Sequence, residues 1–108
     1  MINHSVVEGR LGKDPEIREA KSSGKNFVMF SLACDRNYKN KQTGKPDTDW
    51  VPVICWDDRR HDFILNNLDK GDKVVVTGRM ENNKRPDGTD FWYLNLNEVS
   101  PQHKPRDR

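Results

Sequence analysis

Residues 50–80 read WVPVICWDDRRHDFILNNLDKGDKVVVTGRM, and the spacing of their apolar side chains changes twice along the stretch. Residues 50–56 alternate as a strand does, with the valines and the cysteine on one face and the tryptophans on the other. Residues 57–71 open with acids, close with Lys-Gly and space their apolar residues for a helix. The β-branched run in 73–80 predicts a further strand. The apolar residues predicted to share the helical face are Phe63, Ile64, Leu65 and Leu68.

Three more strands are predicted outside this stretch, over residues 5–12, 27–34 and 90–99, with a short extended piece around Ile17 and Arg18. Polar loops are predicted over 37–49 and 82–89, the second with an Asp-Gly step that supplies a positive φ. Five strands with one helix between the third and the fourth are typical of an all-β, five-stranded Greek-key barrel of the OB-fold type, which binds oligonucleotides or oligosaccharides. Other small five-stranded barrels give a similar pattern.

One small domain is predicted over residues 1–100, followed by a short, basic, disordered tail over 101–108. The apolar fraction of 32% supports a modest core, and the tail carries the whole net charge of +2. No apolar run approaches the roughly 18 residues that cross a bilayer, and no signal sequence is evident, so we expect a cytoplasmic protein with no membrane partner. Cys34 and Cys55 lack metal-site spacing and are expected to stay reduced.

The main candidate binding residues are two tryptophans and a tyrosine. Trp50 and Trp56 share a strand face and stand about 20 Å apart at roughly 3.3 Å per residue, so each could stack on a different base of an extended strand. Alternatively, both indoles pack in a core or a subunit interface, because their face is otherwise apolar. Tyr38 lies in an acid-free segment, 36–45, which either attracts phosphate or is a solvated loop. The candidate phosphate-binding residues beside Tyr38 are Arg36, Lys39 and Lys41.

Other candidates are weaker. Lys84 and Arg85 lie in the second predicted loop, where the Arg85 guanidinium could stack on a base. Trp92 alternates with Leu94 and Leu96, which favours a place in the core or an interface.

No catalytic residue, metal ligand or cofactor is predicted. The three histidines lack partners at metal-ligand spacing, and no nucleophile or phosphate-loop motif is present. A group of polar residues opens the predicted helix on its polar face, where acids favour the helix N-terminus. These residues are Asp57, Asp58, His61 and Asp62.

Five short strings, in order and at the expected spacing, resemble the bacterial single-stranded DNA-binding protein family over about residues 1–99. They are GRLGKDPEIR (9–18), FSLA (30–33), TDW (48–50), KGDKV (70–74) and GRM (78–80). The resemblance implies an OB-fold that coats single-stranded DNA without base preference in replication, recombination or repair, usually as a homotetramer. It implies stacking at Tyr38, Trp50 and Trp56, with backbone contacts from Arg18 and Lys84.

The chain departs from the family pattern at three places. Arg85 stands where the family has a fourth stacking aromatic, and Val51 and Pro52 replace a basic pair, so a dimer is an alternative to the tetramer. The acidic tail that docks partner enzymes in the family is absent from this sequence, so tail-dependent partners are not expected. A bacterial chromosome, a plasmid or a phage would each fit as the source. The alternatives to DNA coating are a protein-interaction scaffold with packed tryptophans, and RNA binding through the same barrel.

Overall fold

The computed structural model describes residues 1–103 and contains, in that part of the chain, six strands and one helix. In chain order these are β1 (Ser5–Leu11), β2 (Glu16–Glu19), β3 (Asn26–Lys39), β4 (Pro46–Cys55), α1 (Asp58–Asn67), β5 (Lys73–Lys84) and β6 (Asp90–Pro101).

Five of these strands close into a barrel. The sheet runs in the order β1-β5-β6-β4-β3-β2, and a second pairing of β1 with β3 joins the ring. β4 and β6 are parallel, whereas the other pairs are antiparallel. β2 pairs with β3 outside the ring, and it is the short extended piece that the sequence predicts. The predicted five-stranded OB-fold, with its helix between the third and fourth long strands, is confirmed.

Alternate residues of the long strands fill the barrel. They meet two residues from the helix segment, Ile64 and Leu68, which close one end. Because each fully buried aliphatic side chain contributes about 1.5–3 kcal/mol, this small set dominates the stability of the fold. Cys55 belongs to this core, Cys34 is half-buried, and both are free thiols, as predicted. The strand residues of the core are Leu11, Val28, Phe30, Leu32, Val53, Cys55, Val74, Val76, Leu94 and Leu96.

The helix is shorter than predicted, and two of its side chains point the other way. Asp57 caps it as expected, since its Oδ1 accepts from the backbone N–H of Arg59 at 3.0 Å. Phe63, predicted on the apolar face, is 41% exposed. His61, predicted on the polar face, is buried, with Nε2 donating to the Cys55 carbonyl oxygen at 2.9 Å. Both predictions are wrong because the buried face follows the spacing 61, 64, 68, and a histidine satisfies its polar atoms there.

Both predicted loops are too long, because the strands continue as polar hairpin arms beyond the barrel. β3 and β4 stay paired out to Lys39 opposite Pro46, and β5 and β6 out to Lys84 opposite Asp90. Backbone pairing requires no apolar side chains, so the loss of alternation did not mark the strand ends. The Asp-Gly turn prediction is confirmed, with Gly88 at φ +89°.

The sheet continues past the predicted end of the domain at residue 100. β6 ends at Pro101, and the N–H of Gln102 donates to the Lys73 carbonyl oxygen at 2.9 Å. His103 Nε2 lies 3.3 Å from Asp72 Oδ2. The rest of the predicted tail, 104–108, lies outside the described residues.

Candidate nucleic-acid interface

The side chains of β3, β4, β5 and β6 that alternate with the core residues form one continuous outer face of the barrel, which Glu16 and Arg18 of β2 extend. The register places Ile54 of β4 between Met29 of β3 and Asn95 of β6, and Asn95 opposite Arg79 of β5. Side chains on neighbouring strands at paired positions share a face, so a ligand on this face can touch all five strands. We call this surface the outer face. Its main members are Glu16, Arg18, Met29, Ser31, Trp50, Ile54, Glu81, Tyr93 and Asn95.

Trp50 stands on the open part of the outer face. Its side chain is 60% exposed and borders a groove of about 290 Å³. The indole lies against Gly12, where a Cβ would come 2.5 Å from Trp50 Cζ3. Glycine therefore fixes the ring position by leaving the space that the ring fills. The other residues that line the groove are Lys13, Asp14, Glu16, Arg18, Met29, Phe30 and Ser31.

Trp56 lies on the same face but is half-buried in a row of aromatic rings. Its ring centroid is 4.9 Å from that of Phe27, with the planes at 46°. Its side chain also adjoins Tyr93, whose ring stacks on Phe91 at 6.0 Å and 26°. The Arg85 guanidinium carbon lies 4.9 Å above the Phe91 ring, as in a cation–π contact. We call Phe27, Trp56, Tyr93 and Phe91 the aromatic row.

A carboxylate is anchored beside the aromatic row. The Tyr93 hydroxyl donates to Glu81 Oε1 at 3.0 Å, and Asn95 Nδ2 donates to Glu81 Oε2 at 2.9 Å. Burial raises the pKa of Tyr93, and the neighbouring Glu81 carboxylate raises it further, so the phenol stays protonated and keeps donating. The bonds hold Tyr93, and with it the aromatic row, in one orientation.

The hairpin of β3 and β4 carries Tyr38 and the predicted cations, but acids from β4 accompany them. Tyr38 is 64% exposed. Arg36 donates two hydrogen bonds to Asp49, both at 3.1 Å. This pair raises the pKa of Arg36 and lowers that of the Asp49 carboxyl. Residues 36–45 contain no acidic residue, but strand pairing places Asp49 of β4 next to Arg36. The positive charge of this segment is therefore partly neutralised in the folded chain. Lys39 and Lys41 are exposed and form no ion pair within residues 1–103.

The remaining predicted backbone contacts also have partners in the protein. Arg18 pairs with Glu16 at 2.6 Å, and Lys84 Nζ lies 3.6 Å from Asp90 Oδ1. These pairs are exposed, so their exchange for a phosphate partner requires no burial of charge. The structure thus brings Arg18 and Trp50 to one groove, Trp56 and Arg85 to the aromatic row, and Tyr38, Arg36, Lys39 and Lys41 to the first hairpin.

Sequence reasoning missed part of this surface. Phe27, Phe91 and Tyr93 were not named as candidates, although Tyr93 is only 4% exposed. The sequence does contain a signal for these residues, because each lies next to an inward-facing position of its strand. That alternation places them on the outer face, which also carries Trp56. Trp92 does not lie in the core, because its side chain is 55% exposed; its predicted alternative place, in an interface, stays a prediction.

An OB-fold whose outer face carries exposed aromatic side chains among cations defines an oligonucleotide-binding class of protein. The profile of the Single-strand binding protein family matches residues 2–91. This chain belongs to that family.

Relatives agree with this assignment, and a solved structure shares the fold. The chain is 38% identical over 81 residues to a single-stranded DNA-binding protein of Caldanaerobacter subterraneus subsp. tengcongensis, covering 75% of this chain and 52% of that protein. It is 33% identical over 91 residues to single-stranded DNA-binding protein 2 of Chlorobaculum tepidum, covering 82% and 61%. The chain thus spans between half and two thirds of the length of these relatives. A Plasmodium falciparum SSB complex with ssDNA has the same fold, with a TM-score of 0.78 at 24% identity over 95% of this chain and 96% of the other.

Residues 1–103 contain neither a membrane-spanning helix nor a cluster of metal-binding side chains. No helix there is long and apolar enough to cross a membrane. No group of three or more His, Cys, Asp or Glu side chains there is arranged to hold a metal ion.

Proposed function

We propose that this protein binds and coats single-stranded DNA without base preference, as a binding protein and not an enzyme. The observation that carries the proposal is Trp50, which offers an exposed indole over an open groove on the outer face. Stacking of one base on an aromatic ring contributes about 1–3 kcal/mol and tolerates any base. The relatives' names support DNA as the ligand.

The proposed path begins at the first hairpin and crosses the outer face. Tyr38, Trp50 and Trp56 are the proposed stacking residues, and Trp56 presents the edge of the aromatic row rather than a free ring. Phosphate contacts are proposed for Arg18, Arg36, Lys39, Lys41, Lys84 and Arg85. Three of these cations exchange an internal carboxylate for a phosphate when DNA binds. Stacking and phosphate contacts carry no base code, which is why we expect little discrimination among mixed sequences.

We further propose that the protein acts as a homo-oligomer in replication, recombination or repair. A tetramer is the preferred state, and a dimer is the alternative. The exposed apolar side chains of Ile2, which precedes β1, and of Val6, near the start of β1, support self-association. The small core supports it as well, because small domains gain stability from added buried surface. Tail-dependent partner enzymes are not part of the proposal.

Intrinsic tryptophan fluorescence titrated with poly(dT), at two salt concentrations and with duplex DNA of equal length as the control, tests the function. We expect strong quenching by the single strand and a weak response to the duplex. If about five phosphates are neutralised per site, log affinity falls against log salt with a slope of about −3.5. No quenching at low salt, or a flat salt response, would overturn the proposal and favour the scaffold alternative, in which the tryptophans contact protein.

A further inference from the structure

Trp92 lies on the opposite face of β6 from the aromatic row. Phe91 and Tyr93 point to the outer face, where their rings stack. Trp92, between them, must point the other way, and it shares that direction with the buried Leu94. Leu94 is the last fully buried residue on this side, so beyond it the hairpin of β5 and β6 leaves the barrel and its inner side faces solvent. The Trp92 side chain is 55% exposed for that reason.

The surroundings of Trp92 are polar on the side toward the turn, whereas the half-buried Met80 and the buried Leu94 adjoin it on the side toward the barrel. Asn82 lies directly opposite on β5, and the next pair on the same side of the hairpin, two positions toward the turn, is Lys84 with Asp90. The Lys84 and Asp90 side chains are 76% and 49% exposed. A protein partner is normally held by a contiguous apolar patch, which one indole among an amide and an ion pair does not provide. A flat ring beside a cation instead fits a base and its phosphate.

The two faces of this hairpin therefore repeat one arrangement. On the outer face Arg85 lies over Phe91, next to Tyr93. On the inner side Lys84 lies two residues toward the turn from Asn82, the residue paired with Trp92. Arg85 thus supplies a cation to the outer face at the turn, and its neighbour Lys84 supplies one to the inner side. A single strand of DNA that passes around the turn from the outer face to the inner side would meet both cations.

We propose that Trp92 is an additional base-stacking site, and that single-stranded DNA leaving the aromatic row passes around the tip of this hairpin to reach it. Lys84 exchanges Asp90 for the phosphate next to the stacked base. This inference rests on the proposed function and extends the binding path from the outer face to a second side of the protein.

The test measures affinity for oligothymidylates of increasing length, over the range of about 4 to 16 nucleotides that one such barrel occupies. Trp92→Leu is expected to bind the short oligomers as the unchanged protein does and the long ones about 5- to 150-fold more weakly, the effect of one stacked base. Trp92→Phe is expected to recover most of the loss. Phe63→Leu, which truncates an exposed aromatic on α1, is the matched control and should bind all lengths normally. Equal binding of long oligomers by Trp92→Leu and the control would overturn the inference.

A protein whose only tryptophan is Trp92, made by Trp50→Phe and Trp56→Phe, gives a direct readout. Quenching of its emission by poly(dT) supports stacking at Trp92. An unchanged Trp92 emission, while the protein with all three tryptophans is quenched, overturns this inference and leaves the proposed function standing. Loss of quenching in both proteins overturns the proposed function itself. A free-state emission that is blue-shifted and changes on dilution would show a second copy over Trp92, and would also overturn the inference.

Discussion

Trp50 and Trp56 stand six residues apart on the same face of one strand and its continuation, yet their surroundings differ. Trp50 is 60% exposed and rests on Gly12, where no side chain competes for the space. Trp56 is half-buried and packs against Phe27. The difference indicates that the two indoles have different roles on the outer face. Trp50 is free to stack on a base, whereas Trp56 packs in the aromatic row and stabilises it.

The largest expected difference between the two tryptophans is in their contribution to the stability of the protein. Trp56→Ala should lower the free energy of unfolding by about 2–3 kcal/mol, somewhat below the 3–5 kcal/mol of a fully buried tryptophan. Trp50→Ala should change it by no more than about 0.5 kcal/mol, as exposed substitutions do. Urea unfolding of both variants measures the two values. Equal losses would mean that the two indoles are equally packed, and the comparison would fail.

A smaller effect, on DNA affinity, is expected from a change next to the exposed Trp50. Gly12→Ala places a methyl group where the Trp50 ring lies, and the exposed ring is the part that can move. DNA affinity should fall a few-fold, less than the full 1–3 kcal/mol of one stacked base, with unfolding unchanged. Fluorescence titration with poly(dT) measures the affinity.

Ser100→Ala is the control for the glycine substitution, because Ser100 is exposed on β6 and does not line the groove beside Trp50. It should bind as the unchanged protein does. Normal affinity in Gly12→Ala would mean that the position of Trp50 does not matter for binding.

The smallest effect concerns the acid next to Trp50. Asp49→Asn removes the carboxylate that occupies Arg36, so the affinity at low salt should rise a few-fold and the salt slope should steepen by about 0.7. Because Arg36 lowers the pKa of Asp49, the pair persists as pH falls through the ordinary carboxylate range, and mild acid does not release Arg36. Titrations at several salt concentrations measure the slope.

Asp47→Asn is the matched control for the charge change. Asp47 lies in the same hairpin, but it accepts from the Asn40 amide and not from a cation. It removes one negative charge without freeing an arginine. The same steepening in both variants would attribute the change to net charge and not to Arg36.

Much of the fold was predictable because strands and helices differ in apolar period. The alternation in 50–56, the change of period after it and the β-branched run in 73–80 correctly predict strand, helix and strand. The ends of the elements were not predictable in the same way, since the polar arms of both hairpins are held by backbone pairing that leaves no apolar pattern. His61 was misassigned because burial of a polar side chain depends on an acceptor, the Cys55 carbonyl, that only the folded chain supplies.

Local periodicity predicted the strands, the helix between the third and the fourth, and the face shared by Trp50 and Trp56, and the order of these elements with the family resemblance predicted the barrel. The tertiary structure decided which indole is free, which cations already hold an acid and where Trp92 stands. These depend on residues far apart in the chain, such as Gly12 under Trp50 and Asp49 beside Arg36. The physical reason is that exposure and charge pairing are set by neighbours in space, and strand register brings those neighbours together only when the barrel closes.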